Sequence, residues 1–214
     1  MEILRIPPRP EALVFDLDNT LYTHPAYAAF QESSQIERLA SWIGCRIGEA
    51  EARVRALKEA RAAAGLQKTS SANLFRQLGV PMEEIVRWRV EAFRPSEWLD
   101  RNPALDEALG RLSGRYRLAL LTNNPRAVGE ASLEALGVRP RFAAVAGLDD
   151  SFESKPSVAP FAAILSALGM AAEVCISIGD RMDVDLAPAM ELGMGAILVD
   201  GVEDVIALPG VLLG

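Results

Sequence analysis

Asp16-Leu17-Asp18-Asn19-Thr20 is the stretch of this chain with the clearest capacity for chemistry. It follows Ala12-Leu13-Val14-Phe15, a short apolar run of buried-strand type. Residues i and i+2 of a strand face the same way, so Asp16 and Asp18 project together from its end. Two like charges about 4 Å apart, at an effective dielectric of about 20, repel by roughly 4 kcal/mol. A bound divalent cation or a shared proton relieves that repulsion. One carboxylate of such a pair can act as a nucleophile and carry an aspartyl-phosphate. The other can protonate a leaving oxygen and then activate a water.

Three further pieces carry chemistry. Thr122-Asn123 follows an apolar run, where a hydroxyl and a neighbouring backbone N–H can hold a phosphoryl oxygen. Lys155 precedes Pro156, a residue suited to the first turn of a helix, so its ammonium and free N–H groups can face an anion together. Gly179-Asp180-Arg181-Met182-Asp183-Val184-Asp185 closes another apolar run. Asp180 is placed there for a hard cation such as magnesium, which prefers oxygen ligands. Pro188 sets a helix start near Asp185, which makes Asp185 a candidate N-cap as well as a supporting acid. Asp183 is the alternative acid. His24, the only histidine, is a candidate leaving-group contact or a surface residue near the way into the next segment. Lys68, Asn73 and Arg76 are weaker candidates for substrate selection.

These residues need a frame. Five apolar runs lack polar alternation, as parallel strands covered on both faces do: 12–15, 116–121, 142–147, 174–178 and 195–199. Helix-length segments near 125–137, 156–169 and 185–193 separate the later ones. Strand and helix in alternation point to an open α/β sheet with right-handed crossovers. In such sheets the ligand lies beyond the carboxyl ends of the strands. Asp16/Asp18, Thr122/Asn123, Asp149/Asp150 and Asp180 occupy those ends. Residues 22–100 break the pattern and read as helices over 25–43, 48–64, 70–78 and 81–93. Pro25 and Pro81 suit first turns, and Gly44, Gly65 and Gly79 suit helix ends. This segment is expected to form a helical insert, residues 22–100, standing over a core of residues 1–21 and 101–214 as a lid.

Composition bounds the partners. The 214-residue chain is 50% hydrophobic, enough for one domain with an appendage. Its net charge of −7 argues against a nucleic-acid groove. No apolar run reaches the length of a membrane span, and the start is too short and proline-rich for a signal peptide, so a cytoplasmic location is expected. Cys45 and Cys175 offer neither a disulfide framework nor zinc spacing, and Cys175 reads as a core residue.

Taken together, the residues resemble the haloacid dehalogenase superfamily, and its phosphatase branch in particular. Asp16-Leu17-Asp18-Asn19-Thr20 matches the DxDxT motif in full. Thr122 in Leu120-Leu121-Thr122-Asn123, Lys155 in Ser154-Lys155-Pro156, and Gly179-Asp180 with Asp185 match the other three motifs in order. The resemblance implies an α/β Rossmann-like core with a five-stranded parallel sheet of order 5-4-1-2-3 and an inserted helical cap of the first cap class. It implies that Asp16 is the nucleophile and a magnesium ligand. Asp18 would be the general acid/base, with its carbonyl also on the metal. Thr122 and Lys155 would hold the phosphoryl group; Asn123 and His24 are candidate substrate contacts read from their positions alone, with a surface or hinge role as the alternative for His24. Asp180 and Asp185 would complete the Mg2+ site. The implied activity is hydrolysis of a small phosphate monoester. Phe15 to Tyr22 is similar to the pyrimidine 5′-nucleotidase-like branch, which makes a nucleoside monophosphate one candidate substrate. A phosphomutase or phosphotransferase would keep the same motifs. A dehalogenase has no need of Asp18. A phospho-accepting signalling module would carry no helical insert of this size. No Gly-x-Gly-x-x-Gly follows a strand, which argues against a plain dinucleotide-binding domain.

Overall fold

A computed structural model describes residues 1–66 and 69–214. Lys68 lies outside the described residues. The strands are β1 (Glu2–Arg5), β2 (Ala12–Phe15), β3 (Arg117–Leu121), β4 (Phe142–Ala146), β5 (Cys175–Gly179) and β6 (Gly195–Leu198). They form a single sheet in the order β1-β6-β5-β2-β3-β4. β2 is central, with Phe15 opposite Leu120 on one side and Ile178 on the other. The run β6-β5-β2-β3-β4 is parallel throughout, as the expected 5-4-1-2-3 order requires. The addition is β1, which pairs antiparallel with β6. Its four residues carry a charge at each end and lead into Pro7-Pro8, so the sequence shows no strand period there.

The two faces of the sheet follow from the period-two geometry of strands. Leu13, Phe15, Leu118 and Leu120 pack on one side with Leu105, Leu133 and Leu208. Those three come from α5 (Pro103–Ser113), α6 (Arg126–Ala135) and α10 (Val202–Leu212). Ala12, Val14, Ala119 and Leu121 face the other way, against Phe161 and Ile164 of α8 (Val158–Leu168) and Ala189 of α9 (Ala187–Glu191). Each fully buried Leu, Ile or Phe contributes about 1.5–3 kcal/mol by leaving water. This is why the strands read as unbroken apolar runs.

Residues between β2 and β3 fold into α1 (Pro25–Ile43), α2 (Ile47–Ala63), α3 (Ser71–Gln77) and α4 (Met82–Ala92). They build their own apolar cluster around Leu39, Val54, Phe75, Ile85 and Trp88, joined among the described residues by Leu148 of the short helix α7 (Leu148–Ser151). Gly44 closes α1 in the left-handed conformation, φ 67°, with its N–H on Ala40 and Ser41 carbonyls. Pro25 opens α1, whereas Pro81 is the residue before α4 rather than its first.

Other boundaries differ from expectation. α8 starts at Val158 with Ser157 as its cap, its hydroxyl accepting the Ala159 N–H, and Pro156 lies outside the helix. Residues Met182–Leu186 form a π-helical turn, and α9 starts only at Ala187. Asp185 is therefore not the N-cap of α9, and its side chain is turned inward instead. Among the described residues, no helix is long and apolar enough to cross a membrane.

Candidate active site

β2 ends at Phe15, and the Asp16 N–H donates to the Ile178 carbonyl at 2.8 Å, which fixes the start of the loop against β5. The chain then makes one tight turn, with the Leu21 N–H on the Leu17 carbonyl at 2.9 Å and Asn19 at φ 58°. This turn returns Tyr22 beside Asp18, and the Tyr22 hydroxyl donates to Asp18 Oδ1. Asn124 Nδ2 donates to Asp18 Oδ2 at 2.9 Å, so both carboxylate oxygens are held.

Lys155 ties the remaining strand ends together. Its Nζ donates to Asp16 Oδ1 at 2.6 Å, to Asp185 Oδ1 at 2.6 Å and to the Leu121 carbonyl at 3.0 Å. Its backbone is held as well: the Lys155 N–H donates to Asn123 Oδ1 at 2.8 Å, and Asn123 Nδ2 donates to the Lys155 carbonyl at 3.2 Å. Asp185 accepts a further bond from the Arg181 N–H at 3.2 Å. One oxygen each from Asp16, Asp180 and Asp185 lie within 4.8 Å of one another. These are hard oxygen donors gathered around one point, and they fit a magnesium-sized cation.

The electrostatics match that crowding. Burial foremost, with Asp185 and Asp18 adding to it, pushes the Asp16 carboxyl up to about 8 against the pull of Lys155. Burial, then Asp185, raises Asp180 to about 6. Burial also raises Asp18, although Tyr22, Arg89, Lys155 and Gln31 favour its charged form. Burial acts against the Lys155 ammonium too, but Asp16 and Asp185 more than offset it and hold the group above its ordinary range. Three carboxylates with one lysine leave negative charge uncompensated, which a divalent cation would neutralise.

The chain matches the family profile described as "Hydrolase: haloacid dehalogenase-like hydrolase" over residues 10–193. The chain belongs to this family. A phosphoglycolate phosphatase from Salmonella choleraesuis is 32% identical over 196 residues, covering 83% of this chain and 77% of that protein. One from Rhodospirillum rubrum is 35% identical over 92 residues, 42% of this chain and 38% of that protein. Among solved structures, a magnesium-bound HAD-hydrolase from Bacillus subtilis superposes with a TM-score of 0.60 at 16% identity, covering 96% of this chain and 100% of that one. That likeness establishes the fold. Family and relatives together support the enzyme class, a phosphoric monoester hydrolase.

Within this haloacid dehalogenase-like hydrolase, the expected site residues fall in different places. Asp16, Asp18, Lys155, Asp180 and Asp185 converge at the strand ends. Thr122 is buried there, its Oγ1 accepting from the Asn124 N–H at 3.1 Å. Asn123 is turned to the Lys155 backbone, while its neighbour Asn124 reaches Asp18. Asp183 lies outside the carboxylate cluster, 3.9 Å from Arg181. Asp149 and Asp150 serve Arg126, the first accepting its N–H at 2.7 Å and the second its guanidinium. His24 Nδ1 accepts the Tyr27 N–H at 3.0 Å and so caps α1, with its ring edge-on to Trp98. Asn73 Nδ2 donates to Thr69 Oγ1 at 3.0 Å.

Three residues near the site carried no expectation: Tyr22, Asn124 and Arg89. Arg89 of α4 is only 4% exposed, and burial lowers its guanidinium to about 10, still charged at neutral pH. The sequence holds one trace of it. Arg89 falls four residues after Ile85, on the buried face of α4.

Proposed function

We propose that this hydrolase is a magnesium-dependent phosphatase of small phosphate monoesters, working through an aspartyl-phosphate on Asp16. The observation that carries the reading is the pair at the end of β2. The Asp16 carboxylate is bonded to Lys155 beside Asp180 and Asp185, and the Asp18 carboxylate is held by Tyr22 and Asn124.

In the first step an Asp16 oxygen attacks phosphorus while the bond to the leaving oxygen breaks. Asp18, held beside it by Tyr22 and Asn124, acts as the general acid and gives a proton to that oxygen. In the second step Asp18 takes a proton from a water that attacks phosphorus, and the Asp16–phosphorus bond breaks to release inorganic phosphate. Lys155 and the Thr122 hydroxyl hold the transferring group, and positioning supplies much of the rate. Asp16, Asp180, Asp185 and the Asp18 carbonyl would hold the Mg2+, which when bound offsets charge on the phosphoryl oxygens.

Residues 22–100 act as the cap over a core of residues 1–21 and 101–214. Two contacts seat it on the site: Ser70 Oγ to Ser154 Oγ at 2.7 Å, and Arg89 Nη1 to the Asn123 carbonyl at 2.6 Å. Between α1, α2 and α3 lies a cavity of about 220 Å³ whose walls include Gln31, Gln35, Ser71 and Lys58. Its lining also includes Glu32, Ile36, Val54 and Phe75. Phosphoglycolate, the substrate named for the curated relatives, is placed ahead of a nucleoside monophosphate on that likeness.

The test is a panel of phosphoglycolate, sugar phosphates and nucleoside monophosphates, assayed with Mg2+. Phosphoglycolate should be turned over, Asp16→Asn should lose activity while keeping its fold, and EDTA should silence the wild type until Mg2+ is restored. Wild-type turnover by Asp16→Asn would refute the covalent route.

A further inference from the structure

Arg89 uses all of its reach on three different partners. Nε donates to Gln35 Oε1 of α1 at 2.8 Å, Nη2 to Ser71 Oγ of α3 at 2.9 Å, and Nη1 to the Asn123 carbonyl at 2.6 Å. Removing such a charge from water is costly unless its bonds are made in good geometry. A solvated arginine would have served as well for solubility, so the buried one needs another account.

The partners supply it. Gln35 and Ser71 also wall the 220 Å³ cavity. Asn123, whose carbonyl takes the third bond, is the residue whose side-chain amide holds both the N–H and the carbonyl of Lys155. Lys155 in turn holds Asp16 and Asp185. The contacts thus run unbroken from the cavity wall through one guanidinium to the ammonium that orients the carboxylates. Ser70 to Ser154 lies beside this path and ties the same two segments.

We propose that Arg89 is a positioning residue, which sets Lys155 through Asn123 according to how the helices around the cavity are seated. This rests on the phosphatase reading above. In this role Arg89 acts through Asn123, with its Nε, Nη1 and Nη2 donating to Gln35, Asn123 and Ser71. Its effect falls on turnover, because it acts on where the phosphoryl-holding groups stand.

The experiment compares wild type, Arg89→Met, Arg89→Lys, Asn123→Ala and the Arg89→Met/Asn123→Ala double variant on phosphoglycolate with Mg2+, each checked for folding by circular dichroism. Arg89→Met should lose about 10- to 100-fold in kcat, the scale of a small misplacement of reacting groups, with KM changing much less. Arg89→Lys should recover part of the loss, since an ammonium can still reach the Asn123 carbonyl. Asn123→Ala cuts the same path while leaving that carbonyl in place, so the double variant should be no worse than the poorer single one. A loss of folded protein would instead multiply in the double variant. Folded Arg89→Met with kcat within about twofold of wild type, or multiplying losses, would overturn the proposal. If Arg89→Met fails to fold, Ser71→Ala and Asn123→Ala with their double variant repeat the comparison with the same two outcomes. A wild type inert toward every ester on the panel would sink the phosphatase reading, and this proposal with it.

Discussion

Gly179 stands where β5 passes the chain to Asp180, and its missing side chain is a requirement of the site. A Cβ at this position would meet Asp185 Cβ at 2.6 Å and Cγ at 2.8 Å. Gly179→Ala should therefore push the Asp185 carboxylate off Lys155 and out of the carboxylate cluster. The expected outcome is a roughly 10- to 100-fold weaker affinity for Mg2+, read by isothermal titration calorimetry. An unchanged affinity would show that Asp185 is not needed there. At this scale the sequence speaks clearly for some residues and not for others. Asp16, Asp18, Asp180 and Lys155 could be found because each follows or adjoins an apolar strand, so position alone brings them together. Asn123 and Asn124 show the opposite case. The two adjacent amides lie in the bend after β3, and the path of that bend decides which one reaches Asp18. Arg89 sits among Glu83, Glu84 and Arg87, where composition alone resembles a solvated face. Only its register on α4 betrays it.

Among the elements, the strands and α1 to α4 were legible to within a residue or two, since burial on both faces or one face leaves a plain pattern. α10 was not, because Pro209 interrupts its period, and β1 is too short to show one. α5 also carried no expectation, although its apolar residues Leu105, Leu109 and Leu112 recur at helical spacing. The π-helical turn at Met182–Leu186 has no sequence signature; it arises where Asp185 must turn inward and Pro188 sets the next helix. The four helices after β2 depend on their own small core, in which Phe75 is 1% exposed. Phe75→Ala should destabilise that segment by about 3–5 kcal/mol. Urea unfolding followed by the fluorescence of Trp88, buried in the same cluster, would measure it. An unshifted midpoint would mean that the segment draws its stability from elsewhere.

For the whole molecule, the crowded carboxylates set a pH dependence. Asp16 and Asp180 have folded values raised to about 8 and about 6 from an ordinary 3.8. For such groups the stabilising contribution is full below the unfolded value and is lost as pH rises through the folded one. Asp106 and Asp204 shift the other way, so their contributions vanish only below the ordinary carboxylate range. Metal-free protein should thus lose thermal stability between about pH 4 and pH 9, the span of the two raised groups. Mg2+ should raise Tm more at pH 9 than at pH 5.5, since it binds the charged carboxylates. Differential scanning fluorimetry across that range checks both, and a Tm gain independent of pH would contradict the assignment. The reversed strand β1 bears on a different risk. Gly195-Ala196-Ile197-Leu198 is uncharged, and on its outer side Leu198, Ile197 and Ala196 pair with Glu2, Ile3 and Arg5, the register shifting between Ile3 and Arg5. Trimming the first six residues would bare that ladder and present a ready template to other molecules. Light scattering from such a shortened chain should rise with concentration, while the full chain, sealed by a border bearing one acid and one base, stays dispersed.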